Sequence, residues 1–392
     1  MGNLLDVGKA GSLHEYLMLL HEKYGAIAGF WWGKMYVVSL ASPDYWKDVQ
    51  SMFDRPPELF KLFEPLIGKK SIQFANGPGG RKRRQIMDRS FSHDSVKDYY
   101  EYFVQIANET ANHFSTSSLQ EHVPLGKSMV AMAIRAISAV GMGRAFRDEK
   151  EIDKLSTVYE LCWNEMEARL TGPAPEPHSK REKDFQDAKT TMQNIVKEYM
   201  KQRREDKDKA ERLFIDSILD CEFMDEEEMC DNIMTFLIGG FHTTGNMMTW
   251  CLYYLTKHPE VQEKVYKELM EVLGDEDIKP QVASELKYTR QVMDETLRVS
   301  VLAPWGARIH EFDLQVGEYI IPKEWCSNIL GKNLPLARGF DPDRFNSDNL
   351  KQLPNLSYQP FGFAGKRKCP GWRLSIAEGL VFLSVLVSEP LE

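Results

Sequence analysis

Apolar residues recur at helical spacing along most of the chain. Between Leu13 and Lys23, the residues Leu13, Tyr16, Leu17 and Leu20 fall on one face, and Ser12, which follows Gly11, stands at the capping position, so a helix is predicted there. Ile27 to Leu40 alternates around Gly33-Lys34 and predicts a β-hairpin. Pro56, Pro57, Gly77, Pro78, Gly79 and Gly80 punctuate irregular chain. From Asp94 to Ile215 the period is helical nearly throughout, interrupted by a loop at Thr171 to Ser179. The densely charged stretch Lys180 to Arg212 reads as a solvated helical face and loop. Further helices are predicted over Asp225–Thr256, Pro259–Leu273, Ala283–Val299 and Trp372–Val387. Gly306 to Pro322 alternates like strands around a Val316-Gly317 turn, and Leu330 to Pro360 reads as coil. The expected fold is mostly α with small β-sheets, and the lack of a linker points to a single domain over residues 1–392.

Composition narrows the class. With 392 residues, 43% of them hydrophobic, the chain can bury a large core. A formal net charge of −9 argues against a nucleic-acid partner. The six cysteines form no CxxC pair and no CxxCH haem-attachment motif, so they read as free thiols in a reducing compartment. No uninterrupted apolar run reaches membrane-spanning length, and the chain alone reads as soluble.

Four features carry candidate chemistry. The first is the run PFGFAGKRKCPG, from Pro360 to Gly371. It sets Cys369 between a glycine-rich loop and the start of a helix, where backbone N–H groups can stabilise a thiolate. Arg367, in the adjacent basic run, can pair with a carboxylate. A structural cysteine in a basic turn is the alternative. The second is Gly239-Gly240-Phe241-His242-Thr243-Thr244 inside the long helix. Paired glycines cost a helix about 1 kcal/mol each, so either a ligand approaches the backbone or two helices cross closely there. The third is Glu295 with Arg298, three apart on one helix face. The fourth is Arg344 in FDPDRF, for which Glu295 is a possible partner.

In this order the four resemble the cytochrome P-450 family. Its haem loop, Phe-x-x-Gly-x-Arg-x-Cys-x-Gly, is matched by Gly365, Arg367, Cys369 and Gly371, and its oxygen-binding helix by Gly239 to Thr244. Its Glu-x-x-Arg is matched by Glu295 and Arg298, and its Pro-x-Arg-Phe by Pro342, Arg344 and Phe345. The stretches GSLHEYLMLLHEKYG, FWWGKMYVVSL and FIDSIL are similar to its orphan twentieth subfamily. The resemblance implies a helical prism with small sheets and haem b (iron protoporphyrin IX) between the Gly239–Thr244 helix and the Cys369 helix. It implies that Cys369 ligates the iron, that Arg84, Arg308 and Arg367 hold the propionates, and that Gly240 and Gly365 belong to the haem-binding set. Thr243, with His242, would deliver protons, while Glu295, Arg298 and Arg344 would form a structural network. The implied activity is insertion of one atom of O2 into a small apolar substrate, with electrons from NADPH through a partner reductase. The implied location is the cytosolic face of the endoplasmic reticulum membrane, with the family's anchor and C-terminal strands expected to be missing from this chain. Residual membrane contact is expected near Leu59 to Ile67.

The chain departs from the family pattern in three places. Gly362, flanked by Phe361 and Phe363, stands where the loop has Phe. Gly80 stands where an early helix has Trp, leaving Arg84 as the propionate ligand of Arg81-Lys82-Arg83-Arg84 and the others exposed. His242 replaces an acid, and it can relay protons, pack between helices or ligate iron. These departures keep two alternatives open: a haem-binding protein without oxygenase activity, and a peroxide-driven or isomerase-type haem-thiolate enzyme.

Overall fold

The computed structural model describes residues 2–118, 122–143, 149–206, 212–303, 305–323, 326–329, 339–362 and 365–387. Helices dominate, and the strands fall into one four-stranded and one two-stranded sheet. The chain divides into two compact units. One comprises residues 1–61, 73–82 and 297–369, and the other residues 62–72, 83–296 and 370–392.

The first unit holds both sheets. Strands β1 (Ile27–Trp32) and β2 (Met35–Leu40) pair as the expected hairpin, with Gly33 at φ 63° in its turn. β2 continues in parallel to β6 (Cys326–Ile329), which pairs antiparallel with β3 (Gly306–Arg308). β4 (Leu314–Val316) and β5 (Tyr319–Ile321) form the second sheet around the positive-φ Gly317. The helix Leu13–Tyr24 starts at Ser12, whose hydroxyl accepts from Glu15 N. Tyr16, Leu17 and Leu20 pack with Phe30 and Val37 of the hairpin. The coil expected from Leu330 begins outside the described residues, and the rest of it is not all coil. Asp341 and Asn346 cap two short helices, Pro342–Phe345 and Ser347–Gln352.

The second unit is helical. The long helix Glu226–Lys257 is capped by Asp225, which accepts from Glu228 N at 2.9 Å. It crosses Leu125–Met142 closely enough that side chains at three glycines would collide. A Cβ on Gly240 would lie 2.4 Å from Ile137 Cγ1, one on Gly245 2.8 Å from Val130 Cα, and one on Gly141 2.2 Å from the Phe236 ring. Leu125–Met142 is apolar and long enough to cross a membrane, but 56% of that window is buried in this packing. The helices Glu149–Thr171 and Lys180–Glu205 flank the expected loop, and Ser179 caps the second of them.

The helix expected from Ala283 begins instead at Lys287. Its start is set from another helix: the Glu268 carboxylate accepts from Tyr288 N at 2.6 Å and Thr289 N at 2.7 Å. Leu59, Leu66 and Ile67, expected as surface for membrane contact, are buried core residues.

Asp231 and Asn232 strap residues 68–72 to the long helix, accepting from Lys70 N at 2.9 Å and Ile72 N at 2.8 Å. Burial pushes the Asp231 carboxyl up to about 6. Its folded pKa is therefore above its unfolded value of 3.8. The fold pays no penalty below the unfolded value, loses stability as the pH rises from there through about 6, and carries a constant cost above. Asp231→Asn keeps an acceptor for Lys70 N. It is expected to raise stability by about 2 kcal/mol at pH 7 and to flatten the denaturation midpoint between pH 4 and 6.

Candidate haem site

In the first unit, Arg308 and Arg367, two of the residues expected around the haem, meet on one strip of backbone, Met52–Arg55. Arg308 Nε donates to Met52 O at 3.0 Å, and Arg367 Nε donates to the next carbonyl, Phe53 O, at 3.1 Å. Ile309 N donates to Asp54 O at 3.0 Å. Arg55 is tied to Asn76 in both directions, through its N–H (3.0 Å) and its carbonyl (2.7 Å). Arg367 Nη2 also donates to Ala75 O and lies 3.4 Å from Asn76 Oδ1. The Phe53 ring lies 4.1 Å from the Arg367 guanidinium and 4.6 Å from that of Arg81. Arg308 and Arg367 are 3% and 4% exposed. Guanidinium groups pair with carboxylates in planar geometry, and propionates carry that chemistry.

Gly80 belongs to this cluster. A Cβ there would lie 2.3 Å from Ala75 O, the acceptor of Arg367, so no tryptophan fits at that position. Arg84 is buried with its Nε 2.6 Å from Asp88 Oδ1. Its neighbours are not all exposed as expected. Arg81 covers Phe53, Arg83 pairs with Glu228 in the second unit, and only Lys82 is exposed.

The Cys369 loop is turned by two glycines with positive φ. Gly362 (φ 84°) donates to Gln359 O at 3.1 Å, which accounts for glycine where the family pattern has Phe. Phe363 lies outside the described residues. Gly365 (φ 105°) approaches so closely that a Cβ would sit 2.6 Å from Gln50 O. Cys369 N donates to Phe361 O at 2.8 Å, closing the loop. Of the five cysteines whose side chains are described, Cys162, Cys221, Cys230 and Cys251 are buried and Cys369 is exposed. Burial pushes the Cys162 and Cys230 thiols up to about 11, which disfavours their thiolates. Cys369 is thus the accessible soft donor, in the unit that also holds the Arg308–Arg367 pair. This donor set fits a haem. Arg298 in this unit donates to Gly339 O at 2.9 Å, and Arg344 lies in the Asp341-capped turn.

In the second unit the motif Gly239–Thr244 divides by face. Gly240 serves the crossing with Ile137, whereas a Cβ on Gly239 would meet nothing within 4 Å. His242, Thr243 and Asn246 fall on the same side of the helix as Gly239 and are half-buried. Thr243 Oγ1 donates to Gly239 O at 2.7 Å. Thr244 is buried, with Oγ1 3.5 Å from Ser375 Oγ. The His242 ring is seated on the helix Glu149–Thr171. It lies 4.1 Å from the Trp163 ring, and Nδ1 is 2.5 Å from Tyr159 Oη. Burial lowers its pKa to about 4. Glu295 is fully buried in this unit. Tyr159 and Trp163, spaced four apart on one helical face, are the site residues that sequence reasoning missed.

The cytochrome P450 family model matches residues 1–389. The chain is 28% identical over 398 residues to Cytochrome P450 20A1 of Homo sapiens, spanning 99% of this chain and 84% of the relative. It is 29% identical over 399 residues to Cytochrome P450 20A1 of Mus musculus, with the same coverage. It is 26% identical over 331 residues to the Bifunctional cytochrome P450/NADPH--P450 reductase 2 of Bacillus subtilis (strain 168), spanning 80% of this chain and 31% of the relative. The mostly helical fold agrees with that match. The chain belongs to the cytochrome P450 family, whose members are haem-thiolate monooxygenases.

Proposed function

We propose that this protein inserts one oxygen atom of O2 into a small apolar organic substrate and releases the other as water, with electrons from NADPH delivered by a separate reductase. The observation that carries the reading is the exposed Cys369 thiol on its glycine-turned loop, in the unit where Arg308 and Arg367 meet on adjacent carbonyls. Both units are read as parts of one family domain. Bound haem supplies the activation of dioxygen, favoured by a thiolate ligand.

The chain's own residues do the rest. Cys369 is the iron ligand. Arg308 and Arg367 bind the propionates from side chains already fixed by backbone carbonyls, so little ordering entropy opposes binding. Arg84, in the second unit, is proposed as a propionate ligand from the family resemblance alone. Gly365 lets the loop pass Gln50, and Gly240 lets the long helix lie close to its neighbour. Thr243 donates to Gly239 O and keeps its oxygen lone pairs to hold a water. Glu295, Arg298 and Arg344 hold the fold and do no chemistry. The Bacillus relative's name joins a P450 to a reductase, which supports a reductase as the electron source here. The endoplasmic-reticulum membrane is the proposed location, from the resemblance to the family.

The test is turnover of apolar compounds with purified reductase under 18O2. One labelled oxygen in the product, strictly dependent on NADPH, is expected. Product formed with peroxide alone, or an isomer without label, would move the assignment to the peroxide-driven or isomerase reading.

A further inference from the structure

We infer that Tyr159 is a positioning residue. With Asn246, it fixes His242 as the imidazole tautomer protonated on Nε2, so that this position offers a hydrogen-bond donor where the family pattern has an acid. The inference deepens the monooxygenase reading and rests on it for its catalytic meaning.

The argument is one of donors and acceptors at a single nitrogen. Asn246 Nδ2 donates to His242 O at 2.7 Å, which identifies that end of the amide as the NH2 group, because a carbonyl can only accept. The same NH2 lies 3.4 Å from His242 Nδ1. Tyr159 Oη lies 2.5 Å from Nδ1 on the other side. A proton on Nδ1 would face an amide that has only donors to offer. It would also strand the Tyr159 hydroxyl proton. Tyr159 is 3% exposed, and among the described residues its hydroxyl has no other hydrogen-bond partner. With Nδ1 unprotonated, Tyr159 donates to it and no buried donor is lost.

The pair is held firmly. The Tyr159 ring meets Phe241 edge-on at 4.7 Å. Trp163 covers the imidazole, and its own Nε1 donates to Glu167 at 2.9 Å. Glu160 and Glu167 are the carboxylates that act on Tyr159, and both favour its protonated form. Burial likewise favours the neutral imidazole. Among the described residues, every hydrogen bond of the ring is on the Nδ1 edge, which leaves Nε2–H to act as the donor. His242 lies on the same side of the helix as Thr243, and both are half-buried. As an Nε2–H donor His242 can orient a water or a substrate oxygen without ionising.

The tautomer is read directly by 15N NMR of histidine-labelled protein in its diamagnetic ferrous carbon monoxide form, with His242→Gln used only to assign the resonance. The expected spectrum has a pyridine-type Nδ1 and a pyrrole-type Nε2, unchanged from pH 5.5 to 8.5. Tyr159→Phe is expected to introduce the second tautomer or a titration inside that window. In the wild type, the pH profile of NADPH-driven turnover is expected to show no limb from an imidazole. A pyrrole-type Nδ1, or a wild-type titration near the ordinary histidine value, would overturn the inference; the wild-type spectrum decides this even if Tyr159→Phe does not fold. A Tyr159→Phe spectrum identical to wild type would also overturn it. If the protein takes up no haem, the monooxygenase reading fails, while the same spectrum of the apoprotein still reports the tautomer.

Discussion

Arg367→Met is expected to lower unfolding stability by about 3 kcal/mol and to speed haem loss. The guanidinium holds Phe53 O, Ala75 O and the Asn76 side chain together while stacking on the Phe53 ring. Methionine fills similar space but leaves the carbonyls without those donors, at roughly 1–3 kcal/mol for each buried group so orphaned. The strip Met52–Arg55 also carries Arg308, so its loosening reaches the second proposed propionate ligand. Arg367→Lys should not rescue. An ammonium is a compact point donor, whereas the planar fork reaches two separate carbonyls. Denaturant midpoints and the rate of haem transfer to apomyoglobin check both effects. A variant that matches wild type in both would remove Arg367 from the proposed haem-binding set.

Asp216→Ala is expected to cost about 3 kcal/mol, the low end of the range for breaking a buried pair, because Arg203 keeps a second, half-exposed partner in Asp206 at 3.1 Å. Asp216 receives Arg203 in a two-point bond, Nε to Oδ1 at 2.8 Å and Nη2 to Oδ2 at 2.7 Å. It also accepts from Leu213 N at 2.8 Å, so it sets the start of the short helix Phe214–Leu219. The Asp216 side chain is 5% exposed and that of Arg203 11%. Solvent therefore screens the pair little. The double variant Arg203→Met/Asp216→Leu should lose much less than Asp216→Ala, because no charge is left buried. Urea denaturation of the three proteins measures this. Equal losses in the single and the double variant would contradict the account.

Both predictions concern contacts that the linear pattern does not contain. The sequence was legible wherever the physics is local. Ser12 and Asp225 cap the helices that follow them, and Gly33 turns the hairpin, because caps and turns act over a few residues. The loop before Cys369 was legible for the same reason, since its turning glycines Gly362 and Gly365 lie within a few residues. The start of the helix at Lys287 was not legible, because the carboxylate that caps it belongs to Glu268, twenty residues away on another helix. Gly239 and Gly240 are equal in the sequence, and only the packing shows one facing open space and the other Ile137.

The candidate site could be listed residue by residue, but not how its side chains are held. Arg308 and Arg367 were named as candidates through the family resemblance. Their acceptors on the strip Met52–Arg55 lie 256 and 314 residues away in sequence. The reason for Gly80 is likewise the close approach of Ala75 O, which no pattern reports. His242 remained a choice among relay, packing and ligation because its decisive neighbour, Tyr159, is 83 residues away.

The central claim is that Cys369 ligates haem iron through its thiolate. The measurement that tests it most directly is the absorption spectrum of the reduced protein with carbon monoxide, taken beside Cys369→Ala. The strongly red-shifted Soret band of a thiolate-ligated complex is expected in the wild type and should be lost in the variant. A wild-type band of the histidine or neutral-thiol kind, or a red-shifted band that survives in Cys369→Ala, would contradict the account.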